Sequence, residues 1–278
     1  MRDRRLTPAN RRVAAAHLHG LVSAPRYSEG AAGYVTAPVA DLLRDPDGAR
    51  DRQLLHGAAV TVYDKHDGWA FVQAARDGYV GYLPEGAVGD MPAPDHAVAV
   101  RSTHLYPAPD FKAHEICTLP NMARLNVIAS EGRFAKTPQG FVPAAHLAPL
   151  NALAIDPVAI AALYLGTPYL WGGNSSFGID CSGLVQAGCL ACGIACPGDS
   201  DMQEAELGEA LPEGVPLQRG DLLFRKGHVA WVADPKTLLH ANAHHMAVAY
   251  EPIDAAINRI ADQGDGPVTA RKRLGGLT

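Results

Sequence analysis

TPYLWGGNSSFGIDCSGLVQAG, residues 167–188, decides how the second half of this chain folds. The stretch up to Asp180 carries Gly172, Gly173, Gly178, Ser175 and Ser176, too much Gly and Ser for a helix. Asp180 is a good helix cap, so a helix is expected to begin at or next to Cys181. From there Leu184, Val185, Cys189 and Leu190 fall at i, i+1, i+5 and i+6, the spacing of a buried helix. A thiol at that leading end meets the positive end of the helix dipole, which favours the nucleophilic thiolate. Gly172, Gly173, Gly178 and Gly183 leave room for a substrate backbone to approach. Cys181 is therefore a candidate nucleophile; the competing reading is a buried structural cysteine, as Cys189 and Cys192 look beside small apolar neighbours.

Upstream, Asp156-Pro157 followed by VAIAAL reads as a helix with Asp at its cap and Pro in its first turn. Downstream, residues 221–224, 228–233, 237–243, 247–250 and 268–273 read as strands. Helix first and strands after points to an α+β domain over 151–278. A thiol nucleophile needs a base, and His228 stands at the start of one strand with His240 in the next, joined by a turn at Asp234-Pro235-Lys236. If paired positions sum to 468, His228 faces His240; if they sum to 470, His228 faces Asn242. Either partner could orient the base, and with 12 histidines in the chain a chance pairing of surface residues is the alternative.

The first half repeats itself. Leu42-Leu43-Arg44-Asp45-Pro46-Asp47 and Gly81-Tyr82-Leu83-Pro84 return as Leu105-Tyr106-Pro107-Ala108-Pro109-Asp110 and Gly140-Phe141-Val142-Pro143, at offsets of 63 and 59 residues. Short β-type runs broken by Gly, Asp and Pro point to small all-β barrels over 31–91 and 92–150, behind a polar lead-in of uncertain order at 1–30. The Gly-aromatic-x-Gly-aromatic ending, Gly78 to Tyr82, resembles bacterial SH3-like barrels.

Of 278 residues, 24 are basic and 29 acidic, a net charge of −5 that offers no face for nucleic acid. No apolar run approaches the ~18 residues of a membrane span. Five cysteines without an export signal lead us to expect reduced thiols in a cytoplasm.

The run YLWGGNSSFGIDCSGL, then GDLLFRKGHVAWV, then LLHANA, resembles the NlpC family of cysteine peptidases, with three motifs in the family's order. The resemblance implies a papain-like fold and a Cys-His-His set of Cys181, His228 and His240, with Tyr169 helping the Cys181 N–H to form the oxyanion site. It implies hydrolysis of the γ-D-glutamyl–diamino acid bond of short murein peptides, in the intracellular subgroup that trims recycled peptides bearing a free N-terminal L-alanine. Substrate contacts implied by position are Tyr79, Trp171, Asp180, Ser182, Asp199 and Ser200. Asp199 could instead cap the following helix, and Tyr79 could be barrel core. Two positions depart from the family: Ala58 stands where an acidic residue is usual, and Gly198 where an arginine is usual.

No cofactor or metal is expected. Cys189, Cys192 and Cys196 with His244-His245 lack the second well-spaced ligand pair of a zinc site. Other readings are an amidase or acyltransferase on a related thiol fold, and a non-enzymatic cell-wall-binding protein.

Overall fold

The computed structural model describes residues 2–212, 214–262 and 266–275. By its internal contacts the chain divides between Asn151 and Ala152 into two units.

In the first unit the two sequence copies show the same local build. A strand, Val80–Pro84, leads into a 3-10 turn at Glu85–Ala87 and a short strand at Val88–Gly89. In the second copy Gly140–Pro143 leads into Ala144–His146 and Leu147–Pro149. The repeated glycine explains why the motif recurs. A Cβ on Gly81 would lie 2.7 Å from the Leu43 carbonyl oxygen. One on Gly140, whose φ is 151°, would collide with the carbonyl oxygen of Tyr106, the counterpart of Leu43. Each copy thus needs a residue with no side chain where two strands come closest. The first copy joins seven strands between Ala31 and Gly89 into one sheet, and the second divides its strands among smaller sheets.

The lead-in expected to be of uncertain order is folded. Val13, Ala14, Ala15 and Leu18 are buried in one cluster with Tyr63, Phe71 and Val80 of the first copy. Ala14–Ala15 pairs in parallel with Tyr27–Ser28. Polar flanks hide this apolar patch in the sequence, and only a neighbouring surface makes burying it worthwhile.

The second unit opens with α1 (Pro157–Ala162), capped by Asp156, whose Oδ1 accepts the Val158 and Ala159 N–H groups at 2.9 and 3.1 Å. Next come α2 (Cys181–Ala191) and α3 (Ser200–Glu206). The sheet is built from β1 (Glu209–Ala210), β2 (Asp221–Arg225), β3 (His228–Asp234), β4 (Thr237–Asn242), β5 (Ala247–Pro252) and β6 (Val268–Arg273). Its order is β1-β6-β2-β3-β4-β5, antiparallel at every pairing. The five expected strands are present within two residues; the edge strand β1 and the helix α4 (Ile253–Asp262) were not expected. One face of the sheet buries Leu222, Phe224, Val229, Trp231 and Leu239 against α1 and α2, where Val158, Leu184 and Val185 meet them. The other buries Leu223, Ala230, Val232 and Leu238 against α4 through Ile253 and Ala256. Helix α2 therefore lies flat on β3, and Trp231, fully buried, supports it from below.

Candidate active site

Cys181 is the first residue of α2, as the Gly-rich approach and Asp180 require. The Asp180 carboxylate does three jobs. Its Oδ1 accepts the Gly183 N–H at 2.6 Å, which caps the helix, and the Ser182 hydroxyl at 2.9 Å. Its Oδ2 accepts the Gly172 N–H at 3.0 Å, which ties the preceding loop to the helix start. Gly183 has no room for a side chain, since a Cβ would strike the Gly173 carbonyl oxygen. The thiol is thus held in a tightly packed corner, 6% exposed.

Two buried amides brace α2 from behind. Gln203 Nε2 donates to the Ser182 and Pro197 carbonyls at 2.9 and 3.0 Å. Gln186 accepts from Asn174 at 3.2 Å and donates to the Cys196 carbonyl at 3.0 Å. The sequence reading missed both; a glutamine on the buried face of a helix was the available signal, because an amide there must be spoken for.

The pairing of β3 with β4 decides between the two registers that the sequence leaves open. Trp231 faces Leu239 and Val232 faces Leu238, so positions sum to 470 rather than 468, with a bulge before Asp234. His228 and His240 are diagonal neighbours on one face, not direct partners. Their rings still meet: His228 Nε2 lies 2.9 Å from His240 Nδ1, with ring centroids 5.2 Å apart. Diagonal pairs of long side chains reach each other across antiparallel strands. Asn242, the partner this register offers, is engaged elsewhere: its Oδ1 accepts the His245 backbone and ring N–H groups at 2.8 and 2.9 Å.

The network continues past the two histidines. His240 Nε2 lies 3.0 Å from Glu251 Oε2. Arg259, on α4, grips that carboxylate with both arms, Nε to Oε1 at 2.9 Å and Nη2 to Oε2 at 2.8 Å. Neither residue was expected. Glu251 falls one residue beyond where the strand was expected to end, and Arg259 belongs to the unexpected helix. A carboxylate closing an otherwise apolar strand was the clue.

Charges follow from these surroundings. Burial, then the neighbouring imidazole and the cations Arg225 and Arg259, hold His228 well below the ordinary histidine range. Burial likewise lowers His240, partly opposed by Glu251. The Arg259 guanidinium, joined by His240, pulls Glu251 down to about 2. Near neutral pH the site holds two neutral imidazoles and a charged Glu–Arg pair.

Tyr169 is half-buried against the cluster that contains Cys181. Its backbone N–H donates to the Met246 carbonyl at 2.9 Å, and it bridges Ile179. Burial and then the charges of Cys181 and Asp180 push its hydroxyl upward, so it stays protonated and able to donate. Trp171 is 71% exposed. Ser182 is buried with its hydroxyl turned to Asp180. Asp199 and Ser200 sit half-buried at the start of α3; Asp199 occupies the cap position, yet its side chain makes no capping bond, so the alternative of a simple helix cap fails. Tyr79 lies in the other unit, 2% exposed, within the core cluster of Leu42, Leu54 and Leu83.

All five cysteines are free thiols. Among the described residues no group of three His, Cys, Asp or Glu side chains is placed to hold a metal ion. Nor is any helix among them long and apolar enough to cross a membrane.

Residues 166–259 match the NlpC/P60 family, and residues 42–88 match the bacterial dipeptidyl-peptidase SH3 domain. A γ-D-glutamyl-L-lysine dipeptidyl-peptidase of Bacillus cereus is 27% identical over 245 residues, spanning 73% of this chain and 71% of its own. The enzyme of the same name from Bacillus subtilis is 30% identical over 197 residues, 64% of each chain. A crystal structure of an NlpC/P60 family protein from Bacillus cereus superposes with a TM-score of 0.74 at 22% identity, over 88% of this chain and 99% of that one. It shows a shared fold: a papain-like unit behind an all-β SH3-like region.

Proposed function

Because the chain carries an NlpC/P60 peptidase domain behind a bacterial SH3 domain, we propose that it is a cysteine peptidase acting on short murein peptides. One observation carries this reading. A cysteine opens an 11-residue helix that lies across the very strands whose two histidines are hydrogen-bonded at 2.9 Å. On this reading Cys181 is the nucleophile, His228 the base and His240 the group that orients it.

In the mechanism that follows, the Cys181 thiol gives its proton to His228 as its sulfur attacks the γ-glutamyl carbonyl carbon. The tetrahedral oxygen takes the Cys181 backbone N–H and the Tyr169 hydroxyl as donors. His228 then returns the proton to the leaving amine, and a thioester remains. Water, deprotonated by the same imidazole, hydrolyses the thioester and frees the thiol. His240 orients the base throughout.

The bond proposed is that between γ-D-glutamate and a diamino acid, in line with the γ-D-glutamyl-L-lysine linkage in the relatives' names. A recycling role in the cytoplasm and a free N-terminal L-alanine on the substrate belong to the same proposal. Asp199 and Ser200, at the start of α3, belong to the proposed substrate contacts, whereas Asp180 and Ser182 bond each other and the loop. Gly198, just before Asp199, offers no charge to a substrate ammonium, so discrimination against a blocked N-terminus is expected to be weak.

The test is digestion of L-Ala-γ-D-Glu-diaminopimelate beside its N-acetylated form, with products identified by mass spectrometry. Release of diaminopimelate by wild type, and none by Cys181→Ala, supports the reading. Turnover by Cys181→Ala would end it.

A further inference from the structure

We propose that Glu251, held by Arg259, is a positioning residue that fixes the tautomer of His228 through His240. The proposal builds on the peptidase reading and adds what decides which nitrogen of the base is free.

Four hydrogen bonds join Arg259, Glu251, His240 and His228 in a row. The Glu251 carboxylate is gripped at both oxygens by Arg259, so it is ionised and can only accept. His240 Nε2, 3.0 Å away, must therefore carry a hydrogen. A neutral imidazole has one N–H, so His240 Nδ1 is bare and accepts. His228 Nε2, 2.9 Å from that nitrogen, must then donate. This leaves Nδ1 as the one nitrogen of His228 with a lone pair for the Cys181 proton. A carboxylate two residues removed from the base thus sets the direction of every proton in the row.

The strand geometry favours such a row. His240 pairs with Ala249, and Glu251, two residues on, shares its face of the sheet. His228 reaches His240 across the opposite edge of β4 by the same diagonal offset. Both imidazoles sit in surroundings that keep them neutral, where tautomer rather than charge is the variable. The other charged or titratable groups acting on the pair are Arg225 from β2 and His245 from the loop after β4.

Arg259 shapes what Glu251 can do. A lone buried carboxylate would draw a proton onto His240 and make it a cation. With the guanidinium balancing it, the carboxylate orders hydrogens without charging the ring.

Replacing the carboxylate by an amide removes the constraint. A Gln side chain can turn its NH2 toward His240 Nε2, moving that ring's hydrogen to Nδ1. His228 would then accept through Nε2 and carry its hydrogen on Nδ1, the nitrogen meant to receive the thiol proton.

The experiment is nitrogen-15 NMR of histidine-labelled protein near pH 7.5, without substrate, on wild type and Glu251→Gln. Wild type is expected to show both rings as Nε2–H tautomers; an Nδ1–H His228 in wild type overturns the proposal whatever the variant does. Folded Glu251→Gln is expected to show Nδ1–H on His228 in part or whole; an unchanged pattern also overturns it. Where the peptide is turned over, kcat of Glu251→Gln should fall at least ~10-fold with KM little changed, less than the ~10⁴ seen when a triad carboxylate is directly replaced. Glu251→Asp should recover part of that loss. Since the NMR needs no substrate, a wild type that fails to cleave the peptide would sink the peptidase reading while leaving the tautomer result standing.

Discussion

Asp180→Ala tests whether the carboxylate before Cys181 is a clamp or a substrate contact. The side chain is 7% exposed, and its oxygens accept from Gly183, Ser182 and Gly172. Losing the cap on α2 costs about 1 kcal/mol. Leaving the buried Gly172 N–H without an acceptor adds about 2 kcal/mol, the middle of the range for a stranded donor. The Ser182 hydroxyl can rotate to another acceptor and is left out. The total is about 3 kcal/mol. At about 4 °C per kcal/mol for a unit of this size, the melting transition of the second unit should drop by roughly 12 °C. Differential scanning calorimetry is the assay, because two units can melt in two transitions and only one should move. Asp180→Asn keeps one accepting oxygen but presents an NH2 to the Gly172 N–H, so it should fall between wild type and Asp180→Ala. A variant with an unshifted transition and normal alkylation of Cys181, but lost peptide cleavage, would refute the clamp and return Asp180 to the substrate.

Other outcomes follow from the same geometry. The second unit should lose stability in acid. His228 and His240 have folded pKa values below the ordinary 6.5, so the unfolded chain binds more protons as pH falls through 6.5. Glu251, lowered from 4.5 to about 2, adds to the loss between those values. Melting temperatures measured from pH 7.5 to 4 should fall, and His240→Asn should flatten the upper part of that slope; an identical slope would contradict the assignment. His228→Ala should abolish turnover, whereas His240→Ala should leave measurable kcat, because orienting a base matters less than supplying one. Gly183→Ala should destabilise the second unit by about 1–3 kcal/mol through collision with the Gly173 carbonyl, read by denaturant midpoint. Gly140→Ala should shift only the transition of the first unit, for the matching reason at Tyr106.

Much of the fold was legible because each element announces itself locally. Asp156-Pro157 and Asp180 cap their helices as their side chains predict, and five strands appear where apolar runs meet turn residues. Gly81 and Gly140 recur in the sequence where the structure brings a carbonyl oxygen against each of them. The lead-in was misjudged because Val13, Ala14 and Leu18 are apolar enough to bury only against Phe71 and Val80, residues far along the chain. Glu251 escaped notice because its meaning lies in its partners: one stands on the next strand, and the other on a helix whose own pattern did not stand out.

By itself the sequence determined that a thiol begins a helix and that two histidines occupy consecutive strands. These are matters of capping and alternation, which act over a few residues. Only the tertiary structure decided the strand register, and with it that His228 meets His240 on the diagonal while Asn242 turns to His245. Register is a sum over a whole sheet face, where Trp231, Leu239 and their neighbours must all be buried at once. A two-residue shift keeps every side chain on its proper face, so local pattern cannot tell one from the other.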